Sequence, residues 1–153
     1  MRLWLARALI ALMTLIARLP LSWVRALGTA LGLVLWWGAR SRRHIVRVNL
    51  ALCFPDRSDS EREQLARRHF VCFGQSVLDR AWLWHAPLPV LRQRLHWRGD
   101  LSSLQQKDPL ILLAPHFAGL DAGGMAVSLD VPGPVAFIFS RQSNPVIDQW
   151  VQD

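Results

Sequence analysis

His116 and Asp121 lie five positions apart in the segment Pro115-His116-Phe117-Ala118-Gly119-Leu120-Asp121. An imidazole held at one nitrogen by a carboxylate is fixed in tautomer and more basic at the other. Such a group can take the proton of a hydroxyl. No serine or cysteine stands beside His116, so the natural chemistry is direct transfer without a covalent enzyme intermediate. Five positions on a continuous helix turn through roughly 140°. The pair therefore meets only if His116 stays in a loop and Asp121 points back from the first turn of the following helix. An acid there also suits the helix dipole. The plain alternative is a structural histidine, since this spacing also arises by chance. His44, His69, His85 and His96 read as structural, because no metal-ligand spacing joins them.

The elements that must position this pair read as alternating strands and helices. Leu110-Ile111-Leu112-Leu113-Ala114 is an unbroken apolar run, as in a strand buried on both faces. A helix is expected from about Gly119 to Leu129, then a strand over 135–139 and a helix opening at Asn144-Pro145. A further strand fits 95–98, ended by Gly99, with Asp100 capping a short helix to about Gln106. That order predicts an α/β fold with a mixed, mostly parallel sheet flanked by helices. His116 and Arg141 then fall just past strand carboxyl ends, where ligands gather. Upstream, Ser58 and Glu61 form a capping box that opens a helix from about Asp59 to His85. Leu65, Phe70, Phe73, Val77 and Trp84 are its expected core face, with Cys72 a small buried neighbour. Pro87 and Pro89 end it, and a short helix follows through Arg94.

The charge is unevenly spread. The 153-residue chain has 18 basic and 11 acidic residues, a formal net charge of +7. Its first 55 residues hold eight Arg and no acid. The rest, with ten basic and eleven acidic residues, is close to neutral. With 52% hydrophobic residues the chain is neither disordered nor collagen-like. Cys53 and Cys72 are too few for a disulfide framework. Residues 1–39 are mostly Leu, Ala, Trp, Val and Ile, interrupted by Pro20, so they read as two membrane-anchor helices, interfacial or spanning, with a buried core helix pair as the alternative. Arg7, Ala11, Thr14, Arg18, Ser22, Arg25 and Thr29 recur every three or four positions, a narrow polar or small stripe on an apolar cylinder. Arg40, Arg42, Arg43 and Arg47 follow at once. Basic residues concentrated beside an apolar segment point to anionic lipid headgroups on the cytoplasmic side, and not to nucleic acid.

Three blocks carry a resemblance. His116-x4-Asp121 after an apolar run is similar to the HxxxxD motif of glycerolipid-type acyltransferases. Arg47-Val48-Asn49-Leu50-Ala51-Leu52-Cys53-Phe54-Pro55 resembles the R-x-N-L-x-x-x-F-P stretch of the bacterial lipid A biosynthesis acyltransferases. Phe139-Ser140-Arg141-Gln142-Ser143-Asn144-Pro145 resembles that family's second block. The resemblance implies transfer of a fatty acyl chain from acyl-carrier protein to a hydroxyl of a lipid A precursor, at the cytoplasmic face of the bacterial inner membrane. It implies His116 as general base, Asp121 as its orienting partner, and Arg141 and Asn144 as substrate-binding or site-shaping residues. No metal or other cofactor is implied. The family often has Glu where Asp121 stands and Gly-Asn-Trp where Ala118-Gly119-Leu120 stand, so a related membrane lipid is an alternative acceptor. Its members are longer, and the likeness is to their N-terminal half. The expected layout is anchor helices over 1–39, a basic linker or helix over 40–58, and the N-terminal part of an acyltransferase domain over 59–153. From the residues alone, a membrane-anchored binding or assembly protein without turnover stays open. So do plainer roles for Arg141, as a surface residue, and for Asn144, as a helix N-cap.

Overall fold

The computed structural model describes residues 3–105, 109–115, 117–138 and 140–152. Seven α-helices form among them: α1 (Leu3–Ile16), α2 (Leu21–Gly38), α3 (Arg40–Cys53), α4 (Asp59–His85), α5 (Leu88–Arg94), α6 (Leu120–Asp130) and α7 (Pro145–Gln152), with a 3-10 turn at Ser102–Gln105. They fall into two compact units, Leu19–Ala81 on one hand and Met1–Arg18 with Trp82–Asp153 on the other.

The Leu19–Ala81 unit is built on a close backbone approach. Pro20 stands at the N-cap of α2 and separates it from α1. Val24, Gly28, Gly32 and Trp36 recur every four residues and are the buried face of α2. A Cβ on Gly32 would lie 2.5 Å from the Phe70 carbonyl oxygen and 2.6 Å from the Val71 Cα. One on Gly28 would lie 2.6 Å from the Gln75 Cα. From α4, a Cβ on Gly74 would lie 2.5 Å from the Gly32 nitrogen. The two helices thus touch main chain to main chain. Beside this contact Arg25 pairs with Asp79 at 3.0 Å, and Gln75 donates to the Thr29 hydroxyl at 3.0 Å. The polar stripe on α2 is used against α4. At its end Trp36 meets Phe70 edge-on, ring centroids 5.5 Å apart, with Ala66 buried beside them and Leu35, Ala39, Val46 and Leu50 packed around.

The capping box forms as expected. The Ser58 N–H and hydroxyl each donate to Glu61 Oε2 at 2.8 Å, and the Glu61 N–H donates back at 3.3 Å. The buried face of α4 differs from the expected one. Ala66, Phe70, Gly74 and Leu78 are buried, while Phe73 and Cys72 are exposed. The face is drawn by small residues because α2 lies too close to admit large ones.

In the other unit α1 lies against α7, with Ala6, Met13 and Ile16 buried. The Arg94 guanidinium sits over the Trp82 ring at 5.3 Å, and Leu91 is buried. Trp97 Nε1 donates to Asp130 at 2.8 Å, tying the segment after α5 to the end of α6. Gly99, at φ 112°, makes the turn that leads to the Asp100 cap.

Two expectations are overturned. The α/β fold with a mixed sheet does not form: there is no strand among the described residues. Residues 95–98, 110–114 and 135–138 have no ladder partner, and Phe139 lies outside the described residues. An apolar run makes a strand only when its backbone groups find a neighbour. Here Ile111, Leu113 and Ile138 stand 95%, 97% and 104% exposed instead. The expectation of membrane-anchor helices is not supported in its spanning form either, since no described helix is long and apolar enough to cross a bilayer. The 14 residues of α1 are short of the roughly 20 a crossing needs. In α2 the face bearing Arg25 and Thr29 is committed to α4.

Gly32→Ala should lower stability by about 1–3 kcal/mol, because main-chain atoms cannot step aside for the new methyl. Gly38→Ala, where a Cβ meets nothing within 4 Å among the described residues, should shift it by no more than about 0.5 kcal/mol. Thermal melts followed by circular dichroism compare the two. Equal melting temperatures would contradict the close approach.

Candidate active site

The segment 109–115 has no regular secondary structure, and a turn at 118–119 leads into α6. The Phe117 N–H donates to the Pro115 carbonyl at 2.9 Å, and the Leu120 N–H to the Phe117 carbonyl at 3.1 Å. Gly119 takes the N-cap position of α6 with no side-chain cap, and its carbonyl accepts from the Gly123 N–H at 2.9 Å. Asp121 is therefore in the first turn, half-buried, as the loop-then-helix geometry requires of it. His116 lies outside the described residues. Phe137 rests against α6, its ring 3.5 Å from where a Gly124 Cβ would stand.

Asn144 is the N-cap of α7. Its Oδ1 accepts from the Val146 and Ile147 N–H groups at 3.0 and 3.3 Å. The Gln142 N–H donates to Asp148 Oδ1 at 2.8 Å, and the Asp148 N–H to the Asn144 carbonyl at 2.8 Å. These bonds fix the bend that carries Arg141, which is exposed. Asn144 thus shapes the segment whatever else it contacts. Among the described residues no cluster of three His, Cys, Asp or Glu is placed to hold a metal ion.

The four clustered arginines part ways. Arg40 and Arg42 are exposed. Arg43 sits over the Trp36 ring at 5.2 Å and donates to the Trp36 carbonyl. Arg47 lies over the same ring at 5.4 Å and grips Glu63 with two hydrogen bonds, one of 2.7 Å from Nε. The hydrogen bond from Arg47 holds Glu63 below the usual carboxylate range, and the same bond raises Arg47. Arg62 donates to the carbonyls of Phe54 and Pro55 at 3.2 and 3.1 Å and to that of Arg57. The stretch from Arg47 to Pro55 is thus clamped to the start of α4 at both ends. Glu63, Arg62 and Trp36 carry that clamp. Sequence reasoning passed over them because their partners lie on a different helix. The one available signal was an acid facing an acid-free, Arg-rich segment.

Against this geometry the comparisons with known proteins are decisive. The model of the family "Bacterial lipid A biosynthesis acyltransferase" matches residues 1–153. The chain belongs to that family. Among the acyltransferases it matches, the lipid A biosynthesis lauroyltransferase of Escherichia coli (strain K12) is 29% identical over 99% of this chain and 49% of its own length. The palmitoleoyltransferase of the same strain gives the same figures. The myristoyltransferase is 31% identical over 72% of this chain and 35% of its own. The chain spans about half the length of the first two of these acyltransferases. Their names differ in acyl group at nearly equal identity, so the likeness speaks to the family and not to one acyl chain. No solved structure matches.

The Arg47–Glu63 pair generates a pH prediction. Glu63 titrates lower in the folded protein than in the unfolded chain, so its contribution is present above the ordinary glutamate range and is lost as pH falls through the lowered value. Both side chains are half-exposed, so added salt screens the effect. Glu63→Gln should flatten this part of the acid dependence of the melting temperature at low salt. An unchanged acid limb would show that the pair contributes nothing to stability.

Proposed function

We propose that this chain takes part in moving a fatty acyl chain from acyl-carrier protein to a hydroxyl of a lipid A precursor or a related membrane lipid, at the cytoplasmic face of a bacterial inner membrane. His116 takes the proton of the acceptor hydroxyl. The oxygen attacks the thioester carbonyl carbon, the C–S bond breaks, and the leaving thiolate receives the proton from the imidazolium. Asp121 orients the imidazole and stabilises its charged form, an effect that strengthens where water is excluded. Arg141 and Asn144 shape the substrate side, Asn144 by holding the bend before α7.

The observation that carries this reading is the placement of Asp121 in the first turn of α6, which begins only after the Gly119 N-cap. On one continuous helix the two positions would stand roughly 140° apart, so a helix start between them is what the pairing needs. Family membership supports acyl transfer as the reaction class. The acid-free, apolar first 55 residues support work at an anionic membrane surface.

The test is an acyl-transfer assay on membranes with a loaded carrier protein as donor. His116→Ala should cost roughly 10²-fold or more in rate. Asp121→Asn should also slow transfer while leaving the circular dichroism spectrum unchanged. Near-normal turnover by the His116 variant would remove the mechanism.

A further inference from the structure

We infer that the outward face of α3 is a docking surface for an acidic, helical protein; resting on the donor reading above, that protein is the acyl carrier. The inward face of α3 is fully used. Val46 and Leu50 pack on the Trp36 cluster, and Arg43 and Arg47 close over the Trp36 ring. At about 100° per residue, Ile45, Val48 and Leu52 lie together on the opposite side. They are 45%, 43% and 75% exposed. Their spacing of three then four is the seam one helix offers another.

The charge around the seam says what kind of helix. Arg42 lies on one side of it, His44 and Arg40 on the other, and all three are exposed. No acid occurs in α3 or anywhere before it. Glu63, the acid that reaches α3 from α4, is gripped by Arg47 on the far face. A partner with a short apolar strip bordered by carboxylates complements this surface. A second copy of the chain would bring Arg against Arg and is disfavoured. A lipid surface fits less well. A helix lying in the interface needs a broad apolar face, generally with aromatic residues. Here only three aliphatic side chains spanning about 10 Å are offered, and the other outward positions are Ser41, Arg42, His44 and Asn49.

The experiment titrates the chain with a lauroyl-loaded bacterial acyl-carrier protein and, separately, with phosphatidylglycerol and phosphatidylcholine vesicles. Val48→Glu and Arg42→Glu should each weaken carrier binding at least tenfold, and wild-type binding should weaken as salt rises. Binding to phosphatidylcholine vesicles should be unchanged by both variants, and binding to phosphatidylglycerol vesicles should fall far less than carrier binding does. Arg42 is exposed, so Arg42→Glu decides the matter alone should Val48→Glu fail to fold. Wild-type binding that both variants retain would overturn the docking surface and leave the donor reading standing. Loss of phosphatidylglycerol binding with carrier binding intact would make the surface a lipid one and overturn the proposal. A wild-type chain that does not bind the carrier would sink the docking surface and the donor reading together.

Discussion

The Leu19–Ala81 unit depends on three glycines. Gly28 and Gly32 on α2 and Gly74 on α4 bring two main chains into direct contact, with no room for a single added carbon. Each glycine in a helix interior costs roughly 1 kcal/mol relative to alanine. The close approach offsets that cost by the contacts it allows. It sets Trp36 on Phe70, and the Trp36 ring in turn is the floor on which Arg43 and Arg47 lie. It also aligns Thr29 with Gln75 and Arg25 with Asp79. Moving α2 outward by one methyl would loosen the aromatic contact, the polar pairs and the seat of α3 together.

The same contact redistributes charge. Eight arginines without an acid suggest a surface waiting for anions. Three of them are spent inside the unit: Arg25 on Asp79, Arg43 on Trp36 and Arg47 on Glu63. Guanidinium groups suit this use because a planar cation can cover an aromatic ring while its edge donates hydrogen bonds. Arg43 shows what the arrangement costs, since its Nε is buried without a hydrogen-bond partner among the described residues. Of the charge left to an external partner, Arg40 and Arg42 stand exposed at the start of α3, and Arg7 and Arg18 stand exposed on and just after α1. Electrostatic recognition by this chain is narrower than its net charge implies.

What was legible in the sequence was local. The Ser58–Glu61 cap, the break at Pro20, the stop at Pro87 and the start of α6 after Gly119 each follow from a few adjacent residues, and each occurs where expected. What was not legible depends on a partner far along the chain. The core face of α4 was read from Leu65, Phe70, Phe73, Val77 and Trp84; Phe70 is buried as read, but Ala66, Gly74 and Leu78 share that face with it. Hydrophobic periodicity weights large side chains and is blind to a contact made by absent ones. The apolar runs at 110–114 and 135–138 were read as strands for a related reason. Composition shows that a segment would profit from burial, but a strand exists only once a neighbour supplies hydrogen bonds. The four clustered arginines share a sequence signature and divide by helix face, which becomes visible only when α2 and α4 are in place.

The candidate site shows why local legibility reached as far as it did. A five-residue spacing has chemical meaning only where the helix begins between the two residues, and that start is written in the residues themselves. Gly119 enters the N-cap position without a side chain, and Leu120 opens the helix. Apart from Leu120, the residues Ala118, Ala122 and Gly123 keep the start of α6 free of large side chains, while at Gly124 the Phe137 ring lies against it. At Gly119 and Gly123 an added Cβ would meet nothing within 4 Å among the described residues. Asp121 is the only acid in that first turn. A helix start stripped of bulk, with one carboxylate near its positive end, holds that carboxylate in place through the dipole while leaving the neighbouring space open. For the proposed transfer both properties are needed at once, because the acid must fix an imidazole while an acceptor hydroxyl and a thioester approach the same few ångströms.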